Sequence, residues 1–340
     1  MRFGIVGAGL AGGTSAALLH HAGHEVEVFE TKSHVAGNCY DEWDRGILVH
    51  RYGPHGFHTD KREVWDFVNR FARFRGTALK VVANTRLGMI PVPFNEVSAE
   101  LVGPLGPEQI RELVFRDYSE KHWGIPWEQV PPAISRRLPE TRRSRDCRYH
   151  LDRWQGVPEE GYTRMIEAMF RGCNVHLGCE PDAWRRYRFD HVIYTGSIDD
   201  YFGHAKGRLE YRSLQFTYSE EPKREHFQIN ECNRTNPWTR SVDHSHWLDQ
   251  KVERTIVGYE FPVEWEPGMT RMYPKAFGAS PGRLQAYREM ARAERGVTFL
   301  GRLATYKYLD MDDVIAQVAT KLAGFAGCDW PSTNDASYPI

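Results

Sequence analysis

Three glycines near the start of the chain have the spacing that binding of a pyrophosphate requires. Gly7, Gly9 and Gly12 follow an apolar run, 2–6, and precede a helical pattern, Ser15–His21. In a strand–turn–helix unit the first glycine allows a tight turn, the second lets a pyrophosphate approach the backbone, and the third lets helix and strand pack closely. The pattern therefore predicts a dinucleotide-binding turn that opens a βαβ unit.

An acidic residue supports the same interpretation. A second strand pattern, 25–29, ends in Glu30, where a carboxylate can accept hydrogen bonds from ribose hydroxyls. Its negative charge would repel a 2′-phosphate, which disfavours NADP and leaves FAD or NAD. A loop with Gly37 and Asn38 follows at once. Because NAD-dependent dehydrogenases usually run straight into a helix at this point, the loop favours FAD.

The histidines and cysteines do not predict a metal centre. His55 and His58 have a spacing that two ligands could use, but the surrounding Gly and Pro residues predict a loop, and no third ligand lies at a supporting spacing. The six cysteines are scattered without a CxxC pair, so neither a zinc site nor a disulfide framework is indicated. We expect no metal and a reducing, cytoplasmic environment.

Arginines and aromatic residues are interleaved between Arg136 and Tyr162. Such a mixture suits a groove for single-stranded nucleic acid, and it suits a solvated basic face equally well. The chain has 44 Lys and Arg against 45 Asp and Glu, a net charge of -1, so no overall field recruits nucleic acid or an anionic membrane. We take the solvated face as the default and expect local arginines to bind any anion.

Length and composition predict a globular protein with room for a cofactor. The 340 residues, 41% of them hydrophobic and 26% charged, suffice for roughly two domains with a buried core. No apolar run approaches the ~18 to 20 residues of a membrane span. The first residues form a strand pattern instead of a basic leader, so no signal peptide is predicted.

Local patterns place further elements along the chain. Helices are predicted at 64–71, 108–115, 163–170 and 312–323. Short strands at 79–82 and 89–92 indicate a turn into a second layer, and strands at 174–177, 191–194 and 297–299 are of the first, α/β type. Strands with period-two alternation are predicted at 212–218, 227–230 and 255–261. The alternation indicates a mostly antiparallel layer with one solvated face, and the closing strand and helix restore the α/β pattern.

Nine sequence runs, in order from the first strand to the last helix, resemble one enzyme family. They are 7–12, 37–41, 52–59, 118–124, 154–158, 194–202, 210–214, 237–240 and 301–311. This collinear set resembles the UDP-galactopyranose mutases, flavoenzymes that interconvert pyranose and furanose nucleotide sugars. The resemblance implies an isomerase in which N5 of reduced FAD attacks the anomeric carbon of a nucleoside diphosphate sugar, without net redox change.

The resemblance also implies a domain arrangement. It implies an α/β fold in which 1–75, 151–203 and 297–328 form a discontinuous, Rossmann-like FAD-binding domain. An antiparallel β-sheet domain would comprise 76–95 and 204–296, and a small helical module 96–150.

The same resemblance assigns residues to the substrate. Arg137 and Arg240 would clamp the diphosphate as catalytic residues, with Arg212 in a supporting place, because departure of a diphosphate needs bidentate cations. The phosphate-binding hydroxyls would be those of Tyr149, Tyr273 and Tyr308. The aromatic contacts to the nucleotide would come from Tyr118 and Trp123.

Further assignments concern the cofactor. His55 matches the histidine beside the isoalloxazine, where it would tune proton placement near N5 as a catalytic group. Arg302, Asp310 and Met311 match positions where the last helix meets the flavin. With these assignments the expected ligand of the arginine-rich stretch is a small molecule. Neither nucleic acid nor a membrane is expected as a partner.

Three departures from the family pattern affect the choice of substrate. The segment between Asn95 and Tyr118 is much shorter than in the usual bacterial mutases, Gly56 replaces a bulky aliphatic residue, and Met272 replaces a tyrosine. The base and the sugar of the substrate stay open, and so does the question whether the protein forms a homodimer. Two alternatives also stay open: a flavin oxidoreductase of the amine-oxidase type and a flavin-holding protein without catalytic activity.

Overall fold

The computed structural model describes residues 1–131, 141–323 and 325. The helices are α1 Leu10–His21, α2 Arg62–Val68, α3 Glu96–Val102, α4 Pro107–Ile110, α5 Asp117–Trp123, α6 Tyr162–Met169, α7 Ile198–Tyr201, α8 Ser280–Ala293, α9 Gly301–Ala304 and α10 Met311–Leu322. The first eight strands are β1 Arg2–Val6, β2 Glu25–Phe29, β3 Asp41–Asp44, β4 Ile47–His50, β5 Phe57–Thr59, β6 Phe74–Gly76, β7 Val81–Thr85 and β8 Gly88–Val92. The others are β9 Trp154–Pro158, β10 Asn174–His176, β11 His191–Tyr194, β12 Tyr211–Pro222, β13 Gln228–Glu231, β14 Arg240–Asp243, β15 Arg254–Glu264, β16 Tyr273–Pro274 and β17 Val297–Phe299.

A five-stranded parallel sheet, in the order β10-β2-β1-β11-β17, forms the first layer. The buried strands β1 and β2 flank α1, whose apolar residues pack with those of α6 and α10 in one core. Strand β17 and α10, from the far end of the chain, complete this layer. The predicted α/β class with a Rossmann-like unit is confirmed.

The second large sheet has seven strands in the order β16-β12-β15-β14-β13-β7-β8. Its pairs are antiparallel except β13 with β7, which is parallel. The prediction 212–218 was too short, because β12 runs on to Pro222 and pairs with β15 as far as Arg254. Charged residues occupy that extension, and Glu220 bonds Arg254 across the pair.

The segment that follows β8, from Glu96 to Trp123, is largely helical. Helix α3 begins with a capping box in which Asn95 and Ser98 exchange hydrogen bonds. Helix α4, a π-helical turn Arg111–Arg116 and α5 then follow without a break, so the predicted helix 108–115 was too short. The strands of the two large sheets lie within the ranges predicted for two domains, and the domain division itself stays a prediction.

Two small sheets lie at the boundary of the large ones. Strands β3 and β4 form a hairpin, and β5, β9 and β6 form a three-stranded sheet. The chain between β4 and β5 carries Gly53, His55 and Gly56. Its end at Phe57 is fixed by pairing with Gly156 of β9, so the loop is held at both ends.

Buried imidazoles join these layers. His50 stacks on Trp247 with ring centroids 4.3 Å apart, and Nδ1 of His244 accepts a hydrogen bond from the Trp247 indole at 3.2 Å. Burial lowers the pKa of His50 well below its usual value and lowers the pKa of His244 to about 3. Both rings are therefore neutral at ordinary pH.

In the part of the chain that the structure describes, no helix is long and apolar enough to cross a membrane.

We expect the free energy of unfolding to fall steeply as the pH drops from about 6.5 towards 4. In that window the unfolded chain protonates these histidines while the folded protein does not, so each group contributes a slope of up to about 1.4 kcal/mol per pH unit. Denaturant titrations across this range measure the slope, and His244→Gln should reduce it by about that amount. The exposed His20→Gln is the control, and an unchanged slope in His244→Gln would contradict the assignment.

Candidate active site

The glycine turn has the geometry of a phosphate-binding turn. Gly7 has a φ of +103°, and a Cβ on Gly12 would lie 2.0 Å from the Gly7 carbonyl oxygen, so only glycine fits at both positions. Helix α1 begins directly after Gly9 and has no side-chain cap. The carboxylate of Glu30 accepts hydrogen bonds from the backbone of Ala8 at 2.8 Å and of Lys32 at 2.9 Å. Glu30 is thereby fixed at the turn.

Other features of this turn also fit a dinucleotide. A Cβ on Gly37, whose φ is +55°, would lie 3.1 Å from Cα of Gly9, so the two glycine loops meet closely. Nζ of Lys32 is buried without a hydrogen-bond partner among the described residues and lies 3.9 Å from the ring centroid of Tyr52. Burial lowers the pKa of Lys32. An anionic group bound here would compensate the charge of Lys32. Sequence patterns did not indicate this residue.

The N-terminus of α10 faces the same loop. Sδ of Met311 lies 3.9 Å from Sγ of Cys39, next to Asn38, and Asp310 is the N-cap residue of α10. The guanidinium of Arg302 donates to the carbonyl of Leu309 and interacts electrostatically with Cys39. The residues predicted to hold the cofactor therefore come together from both ends of the chain.

His55 is held at the edge of this region. Its backbone N–H donates to Nδ1 of His50 at 3.1 Å, and its own Nδ1 contacts the carbonyl of Gly53 at 2.8 Å. Because a carbonyl only accepts, Nδ1 carries the proton and Nε2 keeps its lone pair. Burial, together with the charges of Arg302 and Arg240, lowers the pKa of His55 to about 4. The ring is a neutral proton acceptor above that pH.

The space beside Gly56, the residue after His55, is filled by a side chain from elsewhere in the chain. A Cβ on Gly56 would lie 2.4 Å from Cδ1 of Leu79. Leu79 therefore occupies the space that an aliphatic side chain at position 56 would need, and the departure from the family pattern leaves no void here.

A buried ion pair lies on the second sheet. Arg240 on β14 is opposite Glu260 on β15, and its Nε donates to the carboxylate at 2.6 Å. Its Nη2 donates to the hydroxyl of Tyr273 at 3.0 Å. Burial alone would lower the pKa of Arg240, but Glu260 and the neighbouring phenols raise it well above its usual value. Glu260 was missed from the sequence, although a carboxylate at an inward strand position is a usable signal.

Tyrosines surround this pair. The rings of Tyr273 and Tyr308 stack 5.7 Å apart, and the guanidinium of Arg302 lies 4.7 Å from the Tyr308 ring. Tyr118 interacts electrostatically with Arg240 and with Tyr149. Burial raises the pKa of Tyr118 and raises that of Tyr273 to about 12, so both hydroxyls keep their protons and can donate to an anion.

Two other predicted residues contribute to packing. Arg212 is buried and donates to the carbonyl of His122 at 2.8 Å and to Glu264 at 2.6 Å, so it joins the end of α5 to β12. Trp123 is buried with its ring 6.1 Å from Tyr273. Their contacts with a substrate stay predictions, and the predicted clamp residue Arg137 lies outside the described residues.

His58 has two potential ligands nearby that its sequence spacing did not reveal. Ligand atoms of His58, His150 and Asp152 lie within 4.8 Å of one another. The two imidazoles, however, stack face to face, with centroids 3.7 Å apart and planes 11° apart. Nitrogen lone pairs lie in the ring planes, so those of stacked rings do not converge on one ion. The stack and the contact from His58 to Asp152 at 3.2 Å explain the cluster.

Comparisons with known proteins place the chain in a family. The family model of UDP-galactopyranose mutase matches residues 113–308, and that of a NAD(P)-binding Rossmann-like domain matches residues 5–71. A dTDP-fucopyranose mutase of Escherichia coli is 30% identical over 92% of this chain and 95% of its own length. A probable UDP-galactopyranose mutase of Klebsiella pneumoniae is 30% identical over 92% and 91%.

Solved structures agree with the fold. A crystal structure of reduced UDP-galactopyranose mutase covers 98% of both chains with a TM-score of 0.75 at 13% identity. A structure of putrescine oxidase covers 95% of this chain and 98% of its own with a TM-score of 0.57, also at 13% identity. The sequence matches go further than the fold: the chain belongs to the UDP-galactopyranose mutase family of isomerases.

Proposed function

We propose that the protein interconverts the pyranose and furanose forms of a nucleoside diphosphate sugar with reduced FAD bound at the glycine turn. The observation that carries this proposal is the buried pair of Arg240 and Glu260 among protonated tyrosines, beside the neutral His55. A diphosphate needs such a set of donors, and a reaction at the adjoining sugar would take place next to His55.

The donors would act on the leaving group. Glu260 occupies Nε of Arg240, which leaves N–H groups of the guanidinium for phosphate oxygens. Hydroxyls of Tyr273 and Tyr118 can add neutral donors, and donors fixed in a dry site stabilise charge that develops as the diphosphate departs. Arg302 and, by resemblance, Arg137 would supply further positive charge, because Glu260 already balances that of Arg240.

The cofactor site is assigned on the same grounds. The turn at Gly7, Gly9 and Gly12 would hold the pyrophosphate, Glu30 the ribose, and the buried ammonium of Lys32 an anionic group. Bound in its reduced form, FAD would supply a nucleophilic nitrogen for the anomeric carbon. The lone pair on Nε2 of His55 would accept or return a proton next to it.

The alternative is an oxidoreductase of the amine-oxidase type. The likeness to putrescine oxidase supports a shared fold only, since the identity is 13%. Removal of a hydride from an amine does not require a buried arginine among phenols. The diphosphate-binding set therefore favours the mutase.

Dithionite-reduced enzyme should interconvert the two ring forms of a nucleotide sugar, while the oxidised enzyme should not. UDP-galactose and dTDP-fucose, offered separately, would be followed by chromatography for a furanose product, and the preferred base and sugar would emerge from the comparison. Turnover that consumes an oxidant or releases hydrogen peroxide would contradict the mutase and favour the oxidoreductase.

Loss of a clamp arginine should lower turnover without loss of flavin. The variants are Arg137→Ala and the double variant Arg240→Met/Glu260→Gln, which leaves no unpaired buried carboxylate. Each should lose about 1.5 to 3 kcal/mol of transition-state stabilisation, which lowers turnover roughly 10- to 150-fold. Flavin absorbance and turnover are measured together, with the exposed Arg254→Ala as the matched control. Near-normal turnover in both clamp variants would refute the assignment.

Gly9→Ala should lower flavin content while the protein stays folded. A Cβ at Gly9 would find its nearest neighbour 3.7 Å away, so the fold has room for it, but it would occupy the side that a pyrophosphate approaches. Flavin per chain and melting temperature are compared with Gly282→Ala, where nothing lies within 4 Å. Full flavin content in Gly9→Ala would show that the cofactor phosphates lie elsewhere.

A further inference from the structure

His122 lies between tyrosines of the candidate active site but has no role in the proposed clamp. It lies on α5, and its ring packs against Tyr273 with centroids 4.8 Å apart and planes at 65°. Its ring is nearly parallel to that of Tyr118, with centroids 6.0 Å apart. The residue is 7% exposed, so the imidazole is buried among these tyrosines, near Arg240.

Neither ring nitrogen of His122 is hydrogen-bonded to the described residues. Nδ1 is fully enclosed and has no partner, and the backbone carbonyl is the part of the residue that accepts from Arg212. An unpaired buried polar group costs about 1–3 kcal/mol, and a phenylalanine would fill the same space without that cost. Because Nδ1 is enclosed, Nε2 is the ring nitrogen that remains for contact with a ligand.

The charge state of the ring narrows the kind of ligand group. Burial, with the charges of Arg240 and Arg212, lowers the pKa of His122 to about 3, so the ring is neutral. Phosphate oxygens only accept hydrogen bonds, and the guanidinium and phenol donors would serve them in the proposed site. A hydroxyl both donates and accepts, so it suits a neutral imidazole in either tautomer.

The position of His122 indicates which hydroxyl this is. Tyr118, a predicted aromatic contact to the nucleotide, lies one helical turn earlier on α5. His122 packs against Tyr273, whose hydroxyl accepts a hydrogen bond from Arg240. Tyr273 in turn stacks on Tyr308, whose ring lies 4.7 Å from the guanidinium of Arg302, a predicted cofactor contact. His122 is therefore on the side of the diphosphate that faces the proposed cofactor region, and the hexose is the sugar that has to reach the cofactor.

We propose that His122, through Nε2, hydrogen-bonds a hydroxyl of the hexose in the bound nucleotide sugar and thereby helps to select the sugar. This proposal rests on the proposed function. It makes His122 a substrate-binding residue that determines specificity.

Binding measurements with and without the hexose test this contact. The dissociation constants of UDP-galactose and UDP, and of dTDP-fucose and dTDP, are measured by calorimetry on the flavin-bound protein. In His122→Phe the nucleotide sugar of the better-bound pair should bind up to about tenfold more weakly, while its nucleoside diphosphate should bind as before. His122→Gln, whose amide nitrogen can replace Nε2, should restore most of the affinity. His191→Phe, in the parallel sheet, is the matched control, and melting temperatures show whether each variant is folded.

Several results would overturn the contact. These are unchanged binding of the nucleotide sugar in His122→Phe, an equal loss for the nucleoside diphosphate, or a His122→Gln variant no better than His122→Phe. If the wild-type protein binds none of the four nucleotides, the proposed function itself fails. The two failures are therefore distinguishable.

Discussion

The buried ion pair between Arg240 and Glu260 is the interaction on which the candidate site depends. The two residues are opposite each other on neighbouring strands, so the register of β14 and β15 fixes the pair. Taking both charges out of water is costly, and removal of one partner from a buried pair costs about 3–5 kcal/mol because the other is left uncompensated. Arg240 is consequently held charged and immobile inside the protein.

Neighbouring elements are arranged around this pair. The hydroxyl of Tyr273 accepts from Arg240, and the loop that carries His55 passes so close that a Cβ on Gly53 would lie 3.0 Å from Oε1 of Glu260. The second oxygen of that carboxylate is therefore covered by this loop. Because one carboxylate lies against both Arg240 and this loop, the proposed diphosphate end and the proposed cofactor end of the site are positioned relative to one another.

The two sheets contribute different chemistry. The parallel sheet presents a glycine turn and a helix N-terminus, which suit a dinucleotide because backbone N–H groups and glycines allow close approach. The antiparallel sheet presents side chains, an arginine and tyrosines, which suit a diphosphate that must bind and depart. The loop that carries His55 lies against the antiparallel sheet at Glu260, and His55 interacts electrostatically with both Arg302 and Arg240.

The sequence by itself determined the features that depend on neighbours along the chain. The turn at Gly7, Gly9 and Gly12 and the carboxylate of Glu30 were predictable because strand, turn and helix lie within 30 residues of one another. The ordered motif runs identified the family in the same way. Helix and strand ends were less predictable, as with 107–123 and β12, because a π-helical turn and cross-strand ion pairs extended them.

Only the tertiary structure decided which distant side chains share the site. Glu260 and Lys32 lie in none of the motif runs, and the run that contains His122 assigned it no role. A buried charge or an unpaired imidazole is recognised by its surroundings, and those come from other parts of the chain. Leu79 fills the space beside Gly56 for the same reason: packing depends on distance in space. The sequence supplied the residue types, and the strand register and helix packing determined which of them meet.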